Sequence, residues 1–246
     1  MPIFTDGMET KDLKGSNYGF SAKRIEDLGA TEYTLVGIAG DKSGSVDGFR
    51  QEIEDCIKEI VRACASSPRA DNLMLRLVTF DDQLEEIHGF RPLSECDVDA
   101  YKNCVRPGGM TALYDAGCNV TDSVTHYGKD LTENDFDVNA IIFVITDGMD
   151  NRSAMTANEL KKSLENAVRS ESLESVVSIL VGVNVNEPTI SQWLKDLHVS
   201  AGFTQYVELG DAKANTLAKL ADFVSRSISA QSQALGTGGP SQSLSF

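Results

Sequence analysis

Tyr33-Thr34-Leu35-Val36-Gly37-Ile38 runs through Ala39-Gly40 into Asp41-Lys42-Ser43-Gly44-Ser45, and an amphipathic pattern follows at once. The first six residues form a short, apolar, β-prone run, the pattern of a buried strand. Val46, Phe49, Ile53, Ile57, Ile60, Val61 and Cys64 then recur mostly every three or four residues, which lays one apolar stripe along a helix that ends near Pro68. An acid and two hydroxyls at alternate positions therefore stand where a strand becomes a helix. Taken alone, such a turn reads equally as a helix cap.

The chain beyond repeats this alternation. Residues 73–80 are β-rich and 84–88 follow them closely after Asp81-Asp82-Gln83, which predicts a hairpin and one antiparallel strand at the sheet edge. A short helix is expected over 98–105, and a longer one over 112–126 after Pro107-Gly108-Gly109. A polar loop over 127–139 should follow it. Residues 140–145, Ala-Ile-Ile-Phe-Val-Ile, are apolar on both faces, as a central parallel strand must be. Thr156 and Glu159 have the spacing of a capping box. Further strands are expected over 175–183 and 203–209, a helix begins near Pro188, and Asp211 is placed to cap a last helix. The expected fold class is α/β: a Rossmann-like, doubly wound, mostly parallel six-stranded sheet with one antiparallel edge strand and helices on both faces. Residues 31–229 should hold it, between an N-terminal extension (1–30, with a short helix over 21–28) and a Ser- and Gly-rich C-terminal tail (230–246) expected to be disordered.

Composition narrows the function classes. The 246 residues are 41% hydrophobic and 24% charged, an ordinary globular balance. No apolar run approaches the ~20 residues that span a bilayer, and the first residues lack a basic-then-apolar leader, so a cytoplasmic protein with no membrane partner is expected. A net charge of −15 argues against a nucleic-acid partner, and suits either cations and basic partners or a merely acidic surface. Five cysteines form no C-x-x-C pair; Cys56 and Cys64 lie roughly 12 Å apart along one helix, too far for a disulfide, and buried free thiols are expected. His88, His126 and His198 are scattered, and none earns a role.

Two distant pieces answer the Asp41 turn: Thr111 after Gly108-Gly109, and Asp147 after the strand over 140–145. In a doubly wound sheet, residues just past the carboxyl ends of adjacent strands share a crevice where strand order reverses. Asp41, Ser43, Ser45, Thr111 and Asp147 all offer hard oxygen donors, suited to one divalent cation. Each piece alone also reads as a cap or a turn; their joint order favours a site. Asp41-x-Ser43-x-Ser45, Gly108-Gly109-Met110-Thr111-Ala112-Leu113-Tyr114-Asp115-Ala116 and Ile145-Thr146-Asp147-Gly148-Met149-Asp150-Asn151 together resemble the von Willebrand factor A domain, over about residues 33–228. The resemblance implies a complete metal-ion-dependent adhesion site. In it, Ser43, Ser45 and Thr111 would ligate Mg²⁺ (with Mn²⁺ or Ca²⁺ as substitutes) through hydroxyls, and Asp41 and Asp147 largely through waters. Mg²⁺ wants about six oxygens at ~2.0–2.1 Å, and an inner shell of neutral hydroxyls leaves it electrophilic toward a carboxylate.

Three features depart from that pattern. Gly37-Ile38-Ala39-Gly40 is smaller than the bulky run usual before the first aspartate, which suggests a looser strand end. The positions seven and eight past Asp41, acidic where integrin-type domains hold a second metal, are Gly48 and Phe49, so no second site is expected. Asp150 is placed either to tune the pocket or to cap a helix. No G-x-x-x-x-G-K-[ST], G-x-G-x-x-G or G-x-S-x-G is present. The expectation is a non-enzymatic, Mg²⁺-dependent protein-interaction module that binds an Asp or Glu of a partner. The resemblance is to intracellular bacterial or phage members, which implies an AAA+ ATPase or a tellurite- or stress-response assembly as the setting. The rival is a metal-dependent phosphohydrolase with Asp41 as nucleophile, against which Ser43 stands where that class places a second acid.

Overall fold

The computed structural model describes residues 7–13, 16–210 and 214–234. Its centre is the pair of long strands β3 (Glu32–Asp41) and β6 (Asp137–Thr146), parallel neighbours in register from Glu32↔Asp137 to Gly40↔Ile145. Nine of ten residues in each are buried, as expected for strands covered on both faces. β4 (Leu73–Phe80) lies parallel to β3 on its other side, with Asp41 opposite Phe80. β5 (Leu84–Pro92) returns antiparallel to β4, while β7 (Val176–Val183) and β8 (Gln205–Leu209) extend the parallel array beyond β6.

Helices clothe both faces. α1 (Arg50–Ala65) and α5 (Ala214–Ala234) share one core with Val36, Ile38 and Ile141, whereas α2 (Leu113–Thr132), α3 (Ala157–Arg169) and α4 (Pro188–Ala201) share the other with Leu35, Ala39 and Ile142. The alternation of β3 between the two cores is the period of two that a strand imposes. On α1, Ile53, Ile57, Ile60 and Val61 are wholly buried, each worth about 1.5–3 kcal/mol relative to exposure. Thr156 opens α3 with a complete capping box, and Pro188 occupies the first turn of α4. The chain leaves β3 toward β4 on one side and leaves β6 toward β7 on the other, so the order reverses between β3 and β6.

Several expectations are corrected. The sheet has eight strands, in the order β1-β2-β5-β4-β3-β6-β7-β8, because β1 (Met8–Lys11) and β2 (Phe20–Lys23) add to the expected six. The antiparallel strand β5 is therefore not an edge; β2 lies parallel to it and β1 antiparallel to β2. No helix covers 21–28: Phe20 and Ala22 alternate into the core, a period of two, and only a 3₁₀ turn (Ile25–Asp27) follows. The segment is held by a buried polar knot. Arg76, 1% exposed on β4, donates to Glu86 (2.7 Å), Asn119 (3.0 Å) and Ser123 (3.1 Å), and Glu86 also accepts from the amide and hydroxyl of Ser21.

Elsewhere α2 runs six residues past its expected end to Thr132, over much of the expected loop, and 98–105 holds only a 3₁₀ turn (Val98–Tyr101). A 3₁₀ turn over Gly44–Gly48 precedes α1. α5 continues to Ala234, into the segment expected to be disordered; residues 235–246 and the Asp211 cap lie outside the described residues. Gly37 and Gly40 do not loosen β3. A Cβ would stand 2.7 Å from Val120 Cγ2 at Gly37 and 2.8 Å from Ile57 Cδ1 at Gly40, so these glycines let α2 and α1 close onto the strand. Cys56, Cys64 and Cys118 are buried free thiols; Cys96 and Cys104, also free, are half-buried. Among the described residues no helix is long and apolar enough to cross a membrane.

Candidate metal centre

Three loops meet above the carboxyl ends of β3 and β6. Asp41 is the last residue of β3, where Lys42 still donates its amide to Phe80 of β4 (2.7 Å). Ser43 then turns, its amide donating to Asp41 Oδ1 at 2.7 Å, and leads into the 3₁₀ turn that carries Ser45. The loop before α2 is laced to this turn by two backbone bonds, from Gly108 to Lys42 O (2.9 Å) and from Gly44 to Gly109 O (3.2 Å). Gly109 has φ +63°, a left-handed conformation that glycine takes without strain, and a Cβ there would meet Asp82. The third loop follows β6. Asn151 accepts from the Thr111 amide through Oδ1 (2.8 Å), and Thr111 O accepts from the amides of Asn151 (3.0 Å) and Arg152 (3.2 Å).

These bonds bring the five candidate residues to one place. Ser43 Oγ and Ser45 Oγ are 3.0 Å apart, and Ser45 Oγ donates to Asp147 Oδ1, also at 3.0 Å, across 102 positions of sequence. Thr111, at 4% exposure, is fixed by its backbone to the loop that follows Asp147. Asp41 is fully buried and Asp147 nearly so, whereas Ser45 is open to solvent. Burial raises the Asp41 carboxyl to about 7 against a donated bond from Thr146, and the neighbouring Asp147 charge adds to the rise; Asp147 is raised too, again by burial. The nearby cation does not relieve them, because Lys42 turns to Glu85 (2.7 Å) and Asp81 (3.9 Å).

Two like charges under a low-dielectric surface, with hydroxyl oxygens between them, make a donor set that fits a hard divalent cation. Asp41, Ser43, Ser45, Thr111 and Asp147 are the residues that would hold it, and the ion would supply an electrophile toward a carboxylate oxygen. Among the described residues no group of three or more His, Cys, Asp or Glu side chains is placed to hold a metal, here or elsewhere; this donor set has two carboxylates, and its other oxygens are hydroxyls.

Two supporting roles escaped the sequence. Thr146 Oγ1 donates to Asp41 Oδ2 at 2.7 Å, so Asp41 is gripped through both oxygens. Asn151 carries Thr111. Both lie in the stretch around Asp147, but nothing local marks a threonine or an asparagine as the partner of a residue 105 or 40 positions away. Asp150 resolves toward capping: its Oδ1 accepts from Ser153 Oγ (2.5 Å) and the Tyr114 amide (3.3 Å), at the start of α2.

No protein-family profile and no curated protein sequence matches this chain. Solved structures do. The vWF domain of the type V pili tip protein Mfa5 from Porphyromonas gingivalis aligns with TM-score 0.55 and 11% identity, over 82% of this chain and 96% of that one. The fold is von Willebrand factor A-like. The PilB minor pilin from Streptococcus sanguinis (TM-score 0.56, 15% identity, 89% of this chain) and the pilus adhesin SpaC from Lactobacillus rhamnosus GG (0.56, 9%, 89%) share it. This chain spans 66% of that pilin and 34% of that adhesin. At such identities the likeness speaks for the fold alone. The von Willebrand factor A-like order places the Asp41 turn at the reversal between β3 and β6, where doubly wound sheets bind ligands.

Proposed function

We propose that the chain is a non-enzymatic protein-interaction module in which Asp41, Ser43, Ser45, Thr111 and Asp147 hold Mg²⁺, and that the metal takes an Asp or Glu carboxylate of a partner protein. The observation that carries this reading is the convergence of two buried carboxylates and three hydroxyl residues from three loops, with the one nearby lysine turned away. Neutral hydroxyls close to the ion keep it electrophilic, which suits docking of an anion. The description of SpaC as an adhesin agrees with a binding role for this fold. Hydrolysis by Asp41 is disfavoured, because the phosphohydrolase class places a second acid two residues on, where this chain has Ser43. Five free thiols agree with a cytoplasmic setting, and an AAA+ ATPase or stress-response assembly is the partner class that the resemblance implies.

The test is thermal unfolding with Mg²⁺, Mn²⁺ or excess EDTA. Metal at a hundred-fold excess over Kd should stabilise the wild type by about 2.7 kcal/mol, several degrees in Tm for a chain of this size, and Asp41→Ala should abolish the shift. Identical Tm values in Mg²⁺ and EDTA would remove the metal from the proposal.

A further inference from the structure

Apolar side chains bracket the metal loops on the outside. Only four large hydrophobic residues are exposed among the described residues: Met110 (49%), Met149 (42%), Val168 and Val199. The two valines lie on α3 and α4, whereas Met110 immediately precedes Thr111 and Met149 follows Asp147 by two positions. The loops bearing them are joined by the Thr111–Asn151 bonds, so both methionines belong to one rim. Arg152 stands on the same rim. Its amide donates to Thr111 O, its side chain is exposed, and its guanidinium has no partner among the described residues, although the chain carries a net charge of −15. Asp150, two positions before it, is occupied in capping α2 and does not pair with that guanidinium.

Resting on the metal-site reading above, we infer that the partner segment carries its metal-binding acid between apolar residues, with a second acid close by in sequence. The apolar residues pack on Met110 and Met149, and the second acid pairs with Arg152. A methionine rim suits this occupant: thioether chains adapt their shape, and the metal supplies the directional bond that apolar contact lacks. An exposed guanidinium on the loop that follows Asp147 offers a bidentate donor to a second carboxylate, which separates such a segment from one with a lone acid.

The test labels the methyl groups of the six methionines with ¹³C in the full chain and titrates two acetylated peptides by NMR in saturating Mg²⁺. One peptide has aspartate between two leucines and a glutamate two residues on; the control carries alanine in place of leucine and glutamate. The leucine peptide is expected to bind about ten-fold tighter, the scale of burying a few methyl-sized groups, and to move the Met110 and Met149 signals. The double variant Met110→Ala with Met149→Ala should lose most of that advantage while its Mn²⁺ affinity stays unchanged, and Arg152→Ala should bind the leucine peptide no better than a third peptide that keeps both leucines and carries alanine for glutamate. Metal-dependent binding of both peptides with equal affinity would overturn the rim and leave the carboxylate site standing. Mg²⁺-driven dimerisation that Met110→Ala abolishes would assign the rim to a second copy of this chain instead. Absence of any metal-dependent stabilisation or binding would remove both readings.

Discussion

At the residue scale the centre depends on how Asp41 is held. Its oxygens accept from the Ser43 amide and the Thr146 hydroxyl, and neither bond is exposed to water. Removing one donor leaves a buried oxygen without a partner, which costs about 1–3 kcal/mol. Thr146→Val, close to isosteric, should therefore lower stability by that order in EDTA and weaken Mn²⁺ binding several-fold, while Thr146→Ser stays near wild type. Chemical denaturation and Mn²⁺ titration of the three proteins measure it; a valine variant with wild-type values would show that Thr146 does not orient the acid. The five candidate residues could be proposed from sequence because each follows a strand or precedes a helix. Thr146 could not, since its role exists only once β6 lies beside β3.

At the element scale the close packing of β3 sets the frame of the site. Gly37 and Gly40 leave no room for a Cβ against α2 and α1, so the strand ends in Asp41 at a fixed depth. Gly40→Val should overpack the α1 side and cost about 1–3 kcal/mol, read as a lower urea midpoint. Adding Ile57→Ala, which empties the space that the valine methyls invade, should recover part of the loss; strictly additive destabilisation would refute this account of the interface. Long apolar strands and striped helices announced themselves by period. The strands β1 and β2 did not, being four residues each and at least half polar, with the segment held by Arg76, Glu86 and the core under Phe20.

At the scale of the whole molecule, stability should carry the mark of buried His88. Its Nδ1 donates to Gly89 O and its Nε2 accepts from Tyr101 OH, the neutral tautomer, and burial together with Arg91 and Arg76 lowers it to about 3. The unfolded chain takes up a proton near pH 6.5 that the folded chain refuses. Stability is therefore whole above 6.5 and falls as pH drops toward 3, by up to about 1.4 kcal/mol per unit from this group. Urea unfolding in EDTA at pH 7 and pH 4 should show a steeper loss for wild type than for His88→Gln; equal slopes would mean His88 titrates freely. The comparison of variants cancels Asp41, whose raised carboxyl gives the opposite slope over part of this range. The sequence by itself determined the α/β alternation and the central strands, and it singled out five oxygen-bearing candidates at strand and helix ends, because periodicity and turn chemistry are local. Only the tertiary structure decided the eight-strand order, the knot around Arg76, the grip of Thr146 and the methionine rim. Each joins residues tens to a hundred positions apart, and no local pattern records which surfaces will meet.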